Sequence, residues 1–567
     1  MKRIGTSGRV AVQTLVIAAV ALVATVAPAR AARPAAVAPA YPPLRVEAGI
    51  GSPYVNNFNL CSPNLYGAQG GAAYGSIYEP LYIVDYEQYK EHPMLATSYQ
   101  WSKDLKTLTF TIRQGVKWSD GVPFTAKDVY FTLWTLPKTT KLSTCDPLQV
   151  TSNNLVSSVT MPSPNQVAIH YATVDVTRFF GFVNGSWIAP EHQYSQHLKD
   201  MASWADPNPV GTGPFTQLQN FTSQTFDLGK NPHYWQPGKP SFDTLRLQSY
   251  TSQDAANLAM EAGQADWNNA LIPNVSRLYD ARNPQYYHHF YGGSLCDNKL
   301  ELLTTKYPYN LPAFRQALSM AINRQALSVN ANYGYEPPAT IQGIDPWSSW
   351  IDRGIPQTLA AYNPTAAKAM LLKNGFTYKG GSLTDPHGQK VTMNLIPTFY
   401  LAESQILARN FGDIGIDVSV QNLQFADYFD RMQKGSFDAV DAWCDGGRTP
   451  YWPYSQQLDV LNYVPVGQKV TSGWDYERWH SSTMDSLFAQ YRQTLDNGKQ
   501  HALVNQMQRI YVDQLPTIPT VMEIVTSNYN TQNYTGFPDA SNNYAYAEPF
   551  GYPADTELIL LQIHPTH

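Results

Sequence analysis

Between residues 391 and 443 the chain carries a pattern that few folds can satisfy. Val391, Met393 and Leu395 alternate with polar residues, Leu407, Phe411 and Ile414 fall at helical spacing, and Ile416, Val418 and Val420 alternate again. Residues 425–432 then read as a second helix and 437–443 as a third extended run. Strand, helix, strand, helix, strand builds a parallel sheet with right-handed crossovers. Open α/β sheets of this kind bind ligands outside the carboxyl ends of their strands, and Trp443-Cys444-Asp445-Gly446-Gly447 stands at such an end. The expected fold class is therefore α/β, with the ligand site near this segment.

One such unit occupies a small part of the chain. At 567 residues the protein is several times the ~150 of a typical domain, so two or three domains are expected. Leu108, Phe110 and Ile112 alternate as a half-buried strand, and Thr125 with Asp128 three residues on is a capping pair that opens a helix. The stretch PAFRQALSMAINRQAL from Pro312 reads as one helix. In YNPTAAKAMLLKNGF, Asn363 is the N-cap, Pro364 the first helical residue and Gly375 the stop. Two more helices carry Met484, Leu487, Phe488 and Tyr491, then Leu503, Met507, Ile510 and Tyr511, before the apolar extended run IPTVMEIV from Ile518. In VGTGPF, at 210–215, the glycines read as tight turns.

Lys2, Arg3 and Arg9 precede an apolar stretch over 10–27 that ends in Ala29-Arg30-Ala31, the form of a secretory signal peptide over 1–31. The stretch is too short for the ~20 residues of a membrane span and is interrupted by Gln13 and Thr14. An Ala/Pro-rich flexible leader follows over 32–43. The first cysteine is Cys61, so no cysteine is placed to carry a lipid at a mature N-terminus. In an oxidising compartment Cys61, Cys145, Cys296 and Cys444 favour two disulfides, for which sequence allows three pairings. Charged residues are only 15% of the chain and the net charge is −5; residues 1–31 hold four basic groups and no acid, so the remainder carries −9. No basic stripe for nucleic acid survives.

Catalytic motifs are missing from the mature sequence: there is no G-x-S-x-G, H-E-x-x-H, Walker A or dinucleotide fingerprint. Asp438, Asp441 and Asp445 could act as paired acids, but in a strand Asp438 and Asp441 point to opposite faces. His288-His289, in a Tyr-rich segment read as a loop, reads as exposed rather than metal-binding. No catalytic residue, metal or cofactor is therefore expected. Aromatic residues cluster near the loops around the α/β unit: Trp443, Tyr451, Trp452, Tyr454, Trp474 and Trp479. Such faces suit peptide side chains or sugar rings.

Several segments in order together resemble one family, over nearly the whole mature chain. They are SIYEPL (76–81), LTFTIRQGVKWSDGVPFTAKDV (108–129), VGTGPF, KNPHYW (230–235), MEAGQAD (260–266), FRQALSMAINR (314–324), YNPTAAKAMLLKNGF (362–376), GDIGIDV (412–418) and LPTIPTV (515–521). The family is that of the large extracytoplasmic solute-binding proteins of ABC importers, family 5, the oligopeptide/dipeptide/nickel class. The resemblance implies a three-lobed, type II periplasmic-binding-protein-like flytrap with open mixed sheets. Lobe I would comprise 44–91, 209–295 and 525–567, lobe II 92–208, and lobe III, the ligand-binding α/β part, 296–524.

Carried over residue by residue, the resemblance makes Trp443 a pocket wall, Glu79 an acid of a lobe I loop facing the cleft, and Glu523 a pocket residue after the last strand. It pairs Cys296 with Cys444, leaving Cys61 with Cys145. Peptide binders place an aspartate two residues after that cysteine for the ligand's α-amino group; here Asp445 follows Cys444 directly and Gly446 takes the expected place. The implied activity is capture of a short peptide between lobes I and III and its delivery to an ABC permease, with ATP hydrolysis on separate subunits. The implied protein is a monomer, periplasmic or extracellular. The rival readings are an oligosaccharide-binding member of the same fold and a secreted hydrolase using paired carboxylates.

Overall fold

A sheet of ten strands organises the computed structural model, which describes residues 41–567 apart from 51–52, 63–67, 152–154, 347, 398–400, 443–448, 450, 472, 551 and 567. The signal peptide and most of the leader fall outside the described residues. At one end lies the unit read from the sequence. Strands Asp417–Val420, Thr392–Pro397 and Ala439–Ala442 stand side by side and parallel, Leu395 pairing with Val420 on one flank and Ala439 on the other. Helices Leu401–Asp413 and Phe425–Lys434 make the crossovers. Gly435, at φ +66°, closes the second helix in the left-handed conformation that glycine adopts without a Cβ clash.

The middle of the sheet is a pair of long antiparallel strands, Tyr287–Leu302 and Thr517–Asn530. Sixteen residues at about 3.3 Å each span roughly 50 Å, enough to serve two packed regions. Beyond them come Trp267–Asn268, Leu44–Ile50, Thr244–Tyr250, Thr225–Lys230 and Phe215–Phe221. The pairing slips twice: Gly293 faces Ile524 but Asp297 faces Met522, so residues 294–296 stand against Glu523 alone, and Lys299 then faces Pro519, so residue 298 stands against 520–521. A bulge of this kind bends the strand and sharpens its twist. His288 and His289 therefore lie in a strand, not in the loop their tyrosine neighbours imply.

Between the first strand of the large sheet and its next contribution at Phe215, the chain builds a separate antiparallel sheet in the order Ala96–Trp101, Thr107–Ile112, Gln166–Tyr171, Val156–Ser163. Leu108, Phe110 and Ile112 are buried as their alternation requires. The Thr125 side chain accepts from a helical N–H while Asp128 accepts from the Thr125 backbone, the reciprocal capping pair. The three largest apolar cores lie around Leu44, Val46, Leu228 and Trp267, around Leu108, Phe110, Trp118 and Leu133, and around Leu300, Leu318, Leu395, Phe411 and Ile518. At roughly 1.5–3 kcal/mol for each large side chain buried, every core is a substantial folding unit.

Two local expectations change. The helix read from Pro312 onward is two helices, Pro312–Ala321 and Arg324–Ala331, because Ile322 is extended and the Asn323 side chain caps the second through Ala326 N–H. The buried Arg324 guanidinium donates to the carbonyls of Ser319, Ala360 and Pro519 across this break, tying both helices to a long strand. Gly211 and Gly213 of VGTGPF answer close approach rather than turn geometry: a Cβ on either would fall 1.8 Å from the Ile77 carbonyl oxygen or 2.3 Å from that of Ser76. Gly213 N–H donates to Ile77 and Phe215 N–H to Ser76, so SIYEPL and VGTGPF form one contact. Cys61 and Cys145 are joined in a disulfide. Cys296 is disulfide-bonded too, and Cys444, the partner that the resemblance implies, lies outside the described residues.

Candidate functional site

The bulge in the long strands gathers the chemistry. Glu523 is within the strand Thr517–Asn530 rather than after it, opposite the bulged residues, and its Oε2 lies 3.1 Å from Cys296 Sγ. Trp443, Cys444 and Asp445 lie outside the described residues, directly after the strand Ala439–Ala442 that pairs with Tyr287–Leu302.

Glu79 departs from expectation. It is wholly buried and its Oε1 accepts from Tyr234 Oη (3.1 Å) and Trp235 Nε1 (2.9 Å). Its carboxyl is within electrostatic reach of that of Glu557, likewise fully buried. Burial raises the pKa of both, so the pair holds a proton between them. The acid of the SIYEPL loop is turned into the interior, because the KNPHYW segment brings its Tyr and Trp donors over it.

Around the bulge the structure assembles acids that sequence reading missed. Glu336 sits in the segment that pairs Pro338 with Val521, beside Glu523. Its Oε2 accepts from Asn298 Nδ2 (3.3 Å). Glu403, in the first turn of Leu401–Asp413, accepts from Asn332 (2.6 Å) and from Asn298. Asp441, which the sequence reading did consider as a paired acid, accepts from Ser404 Oγ (2.7 Å). On the other side Glu548 accepts from Thr526 N–H (3.3 Å) and Asn269 Nδ2 (3.4 Å), and Glu47 from the Asn269 backbone.

Burial is the leading cause that pushes these carboxyls up, Glu47 and Glu523 to about 7. Glu548 rises to about 8, with the Glu523 charge adding to burial, and Glu336 to about 9, with Glu403 and Glu523 adding. Glu403 and Asp441 are raised too, by burial first. The one signal in the sequence is context: in a chain only 15% charged, LRVEAGI, YGYEPPA, TVMEIVT and YAYAEPF each set a lone glutamate among apolar and aromatic residues.

A separate cavity of about 510 Å³, whose lining includes none of these carboxyls, is within the usual size of a small-molecule site. Its walls come from the small-sheet region, including Tyr86 and Asn184, and from the α/β region, including Trp350, Tyr451 and Trp452. The rings are pre-stacked: Trp350 on His501 at 3.7 Å and Tyr451 on Tyr491 at 4.1 Å, nearly parallel in both cases. Tyr86 packs on Tyr552 at 4.2 Å, and Tyr552 is in turn within electrostatic reach of Glu523 and Glu548. Tyr454 and Trp479, also singled out in the sequence, are core residues. Val176 N–H donates to the Arg492 carbonyl (2.9 Å), joining the two walls by a backbone bond.

Such a site can enclose a ligand and stack its planar or apolar parts. Among the described residues no three His, Cys, Asp or Glu side chains are placed to hold a metal ion. Comparison with known proteins agrees with a binding role. The chain is 26% identical over 491 residues to a probable ABC transporter-binding protein of Deinococcus radiodurans, spanning 76% of this chain and 80% of that one. An oligopeptide-binding periplasmic protein of an ABC transporter from Thermotoga maritima superposes with a TM-score of 0.82 at 21% identity, over 92% of this chain and 99% of the other. The same Thermotoga maritima protein with mannohexaose bound gives 0.75 at 21% identity, over 92% and 98%. The three-lobed, type II periplasmic-binding-protein-like fold is thus established. The family described as bacterial extracellular solute-binding proteins, family 5 (middle), matches residues 90–461, well over half of the length, and with cleft, cores and fold in agreement the chain belongs to that family.

Proposed function

We propose that the protein is the ligand-capturing subunit of an ABC importer, closing on a short peptide and presenting the closed form to a membrane permease whose partner subunits hydrolyse ATP. The carrying observation is the cavity lined by stacked rings and walled by two different regions. Lobes I, II and III take the bounds 44–91 with 209–295 and 525–567, 92–208, and 296–524, which puts the bulge at the passage from lobe I to lobe III. Trp443 and Asp445 join Glu523 at the ligand, held by a Cys296–Cys444 disulfide, while Glu79 serves the fold. The protein acts as an exported monomer without lipid anchor, cofactor or catalytic activity; no helix among the described residues is long and apolar enough to cross a membrane.

A second reading, an oligosaccharide ligand, is favoured by the stacked rings and by the mannohexaose-bound neighbour. Native mass spectrometry of protein purified without denaturation separates the two, since closed binding proteins retain their ligands. Adducts at heterogeneous peptide masses support the first reading, and adducts at hexose spacing the second. Product formed from peptides or glycans in a turnover assay contradicts both and favours the hydrolase.

A further inference from the structure

The wall of the aromatic cavity that comes from the small-sheet region carries a turn with one outward bond. Arg178 N–H closes the turn on the Asp175 carbonyl (3.4 Å), and Thr177 donates both its N–H (3.1 Å) and its hydroxyl (2.6 Å) to Asp175 Oδ1. Asp175 Oδ2 pairs with the Arg178 guanidinium (3.2 Å). These bonds stay inside the turn. The Val176 N–H leaves it and reaches the carbonyl of Arg492 in the α/β region (2.9 Å).

The receiving end is held from its own side. Arg492 is the residue at which the helix Ser482–Tyr491 stops, and the last carbonyls of a helix have no partner within it. Its guanidinium donates to Asp459 and to Tyr451 Oη (3.5 Å), and the Tyr451 ring is stacked on Tyr491 of the same helix. Across the gap, Asp175 lies within electrostatic reach of Arg492.

A hollow stands on each side of this contact. One is the aromatic cavity; the other is a second cavity of about 430 Å³, with Asp175 and Arg178 in one wall and Asp459 and Arg492 in the other. Thr177, Tyr451 and Trp452 line both. Domains move relative to one another unless the interface between them is large and hydrophobic, and a contact flanked by cavities is neither. The bond can therefore break and re-form, and the two walls cannot part along this edge until it breaks.

We propose that the turn at 175–178 and the end of the helix Ser482–Tyr491 form a latch, which fastens the small-sheet region to the α/β region over an enclosed ligand and sets how long that ligand is held. The inference rests on the capture reading above and adds to it the residues that govern release. When the walls part, water replaces the Val176 N–H at the Arg492 carbonyl, so the bond changes the release rate by about two- to tenfold.

Val176→Pro tests the latch directly. Val176 is the second residue of the turn, a position that favours proline, so the substitution removes the N–H and keeps the turn. Val176→Ala keeps the N–H and trims the buried side chain. The full chain is loaded with a tryptic digest of casein or with mannohexaose and freed of excess, and the loss of bound mass is followed by native mass spectrometry. V176P should release about two- to tenfold faster than the wild type, and V176A at the wild-type rate. Hydrogen exchange at the Val176 amide of the wild type should be about tenfold slower with the retained probe than without it. Wild-type release from a folded V176P, or release from V176A as fast as from V176P, overturns the latch and leaves capture standing. Equal exchange with and without the probe also overturns it, and decides alone should V176P fail to fold. Retention of neither probe overturns capture, and the latch with it.

Discussion

Two groups of buried acids sit in this protein, and they have little in common beyond burial. The Glu79–Glu557 pair is enclosed: Tyr234 and Trp235 donate to Glu79 Oε1, Glu557 lies within electrostatic reach of it, and so does the Arg113 guanidinium. The row at the bulge has no comparable shell. Its neighbours are amides and further carboxyls, and Tyr552, within electrostatic reach of Glu523 and Glu548, packs on Tyr86 of the cavity wall. An elevated carboxyl pKa therefore does not by itself mark a binding acid.

The sharpest way to break this contrast is to cut into each group. Glu79→Ala leaves the Trp235 and Tyr234 donors and Glu557 without their partner, and should cost about 3 kcal/mol of folding stability in urea denaturation with ligand affinity little changed. Loss of affinity with stability intact would place Glu79 at the ligand instead.

Stability against pH gives the next largest effect. Glu523, Glu548 and Glu336 titrate near 7, 8 and 9 in the folded protein against 4.5 for an ordinary glutamate. Because the folded state holds these protons more tightly, their stabilisation is complete below pH 4.5 and is lost as pH rises through 7 to 9, at about 1.4 kcal/mol per unit for each group. The melting temperature of the unliganded protein should fall between pH 5 and 9. A triple variant with Gln at 336, 523 and 548 should show a shallower fall, and equal slopes would contradict the burial of these groups.

Smaller effects sharpen the picture at the cavity and the surface. Trp350→Ala removes one half of a stacked wall and should weaken ligand binding by about 1 kcal/mol, read by calorimetry, with little change in melting. Lys390→Ala breaks an ion pair to Asp417 whose two side chains are 51% and 62% exposed, and should change stability by less than about 0.5 kcal/mol in the same denaturation assay.

What the sequence made legible was what depends on neighbours in the chain. The parallel strands and crossover helices of 391–443, the Thr125/Asp128 cap and the Asn363 cap all follow from residues within a few positions of one another. Glu79 shows the limit: its donors lie 155 and 156 residues away and its carboxyl partner near the C-terminus, so only the fold decides that it points inward. The same distance hides the row, whose members come from five segments between Glu47 and Glu548. Motif matching reached Glu523 alone among them and placed it beyond a strand that in fact contains it. The break at Ile322 was legible in principle, since Asn323 is a capping residue, but the apolar spacing on both sides overrode it.

The most direct test of ligand capture is the mass of the protein isolated without denaturation. Native mass spectrometry should show adducts, at heterogeneous peptide masses for a peptide ligand or at hexose spacing for an oligosaccharide, that denaturing conditions remove. A bare mass that takes up neither a peptide digest nor mannohexaose would contradict capture.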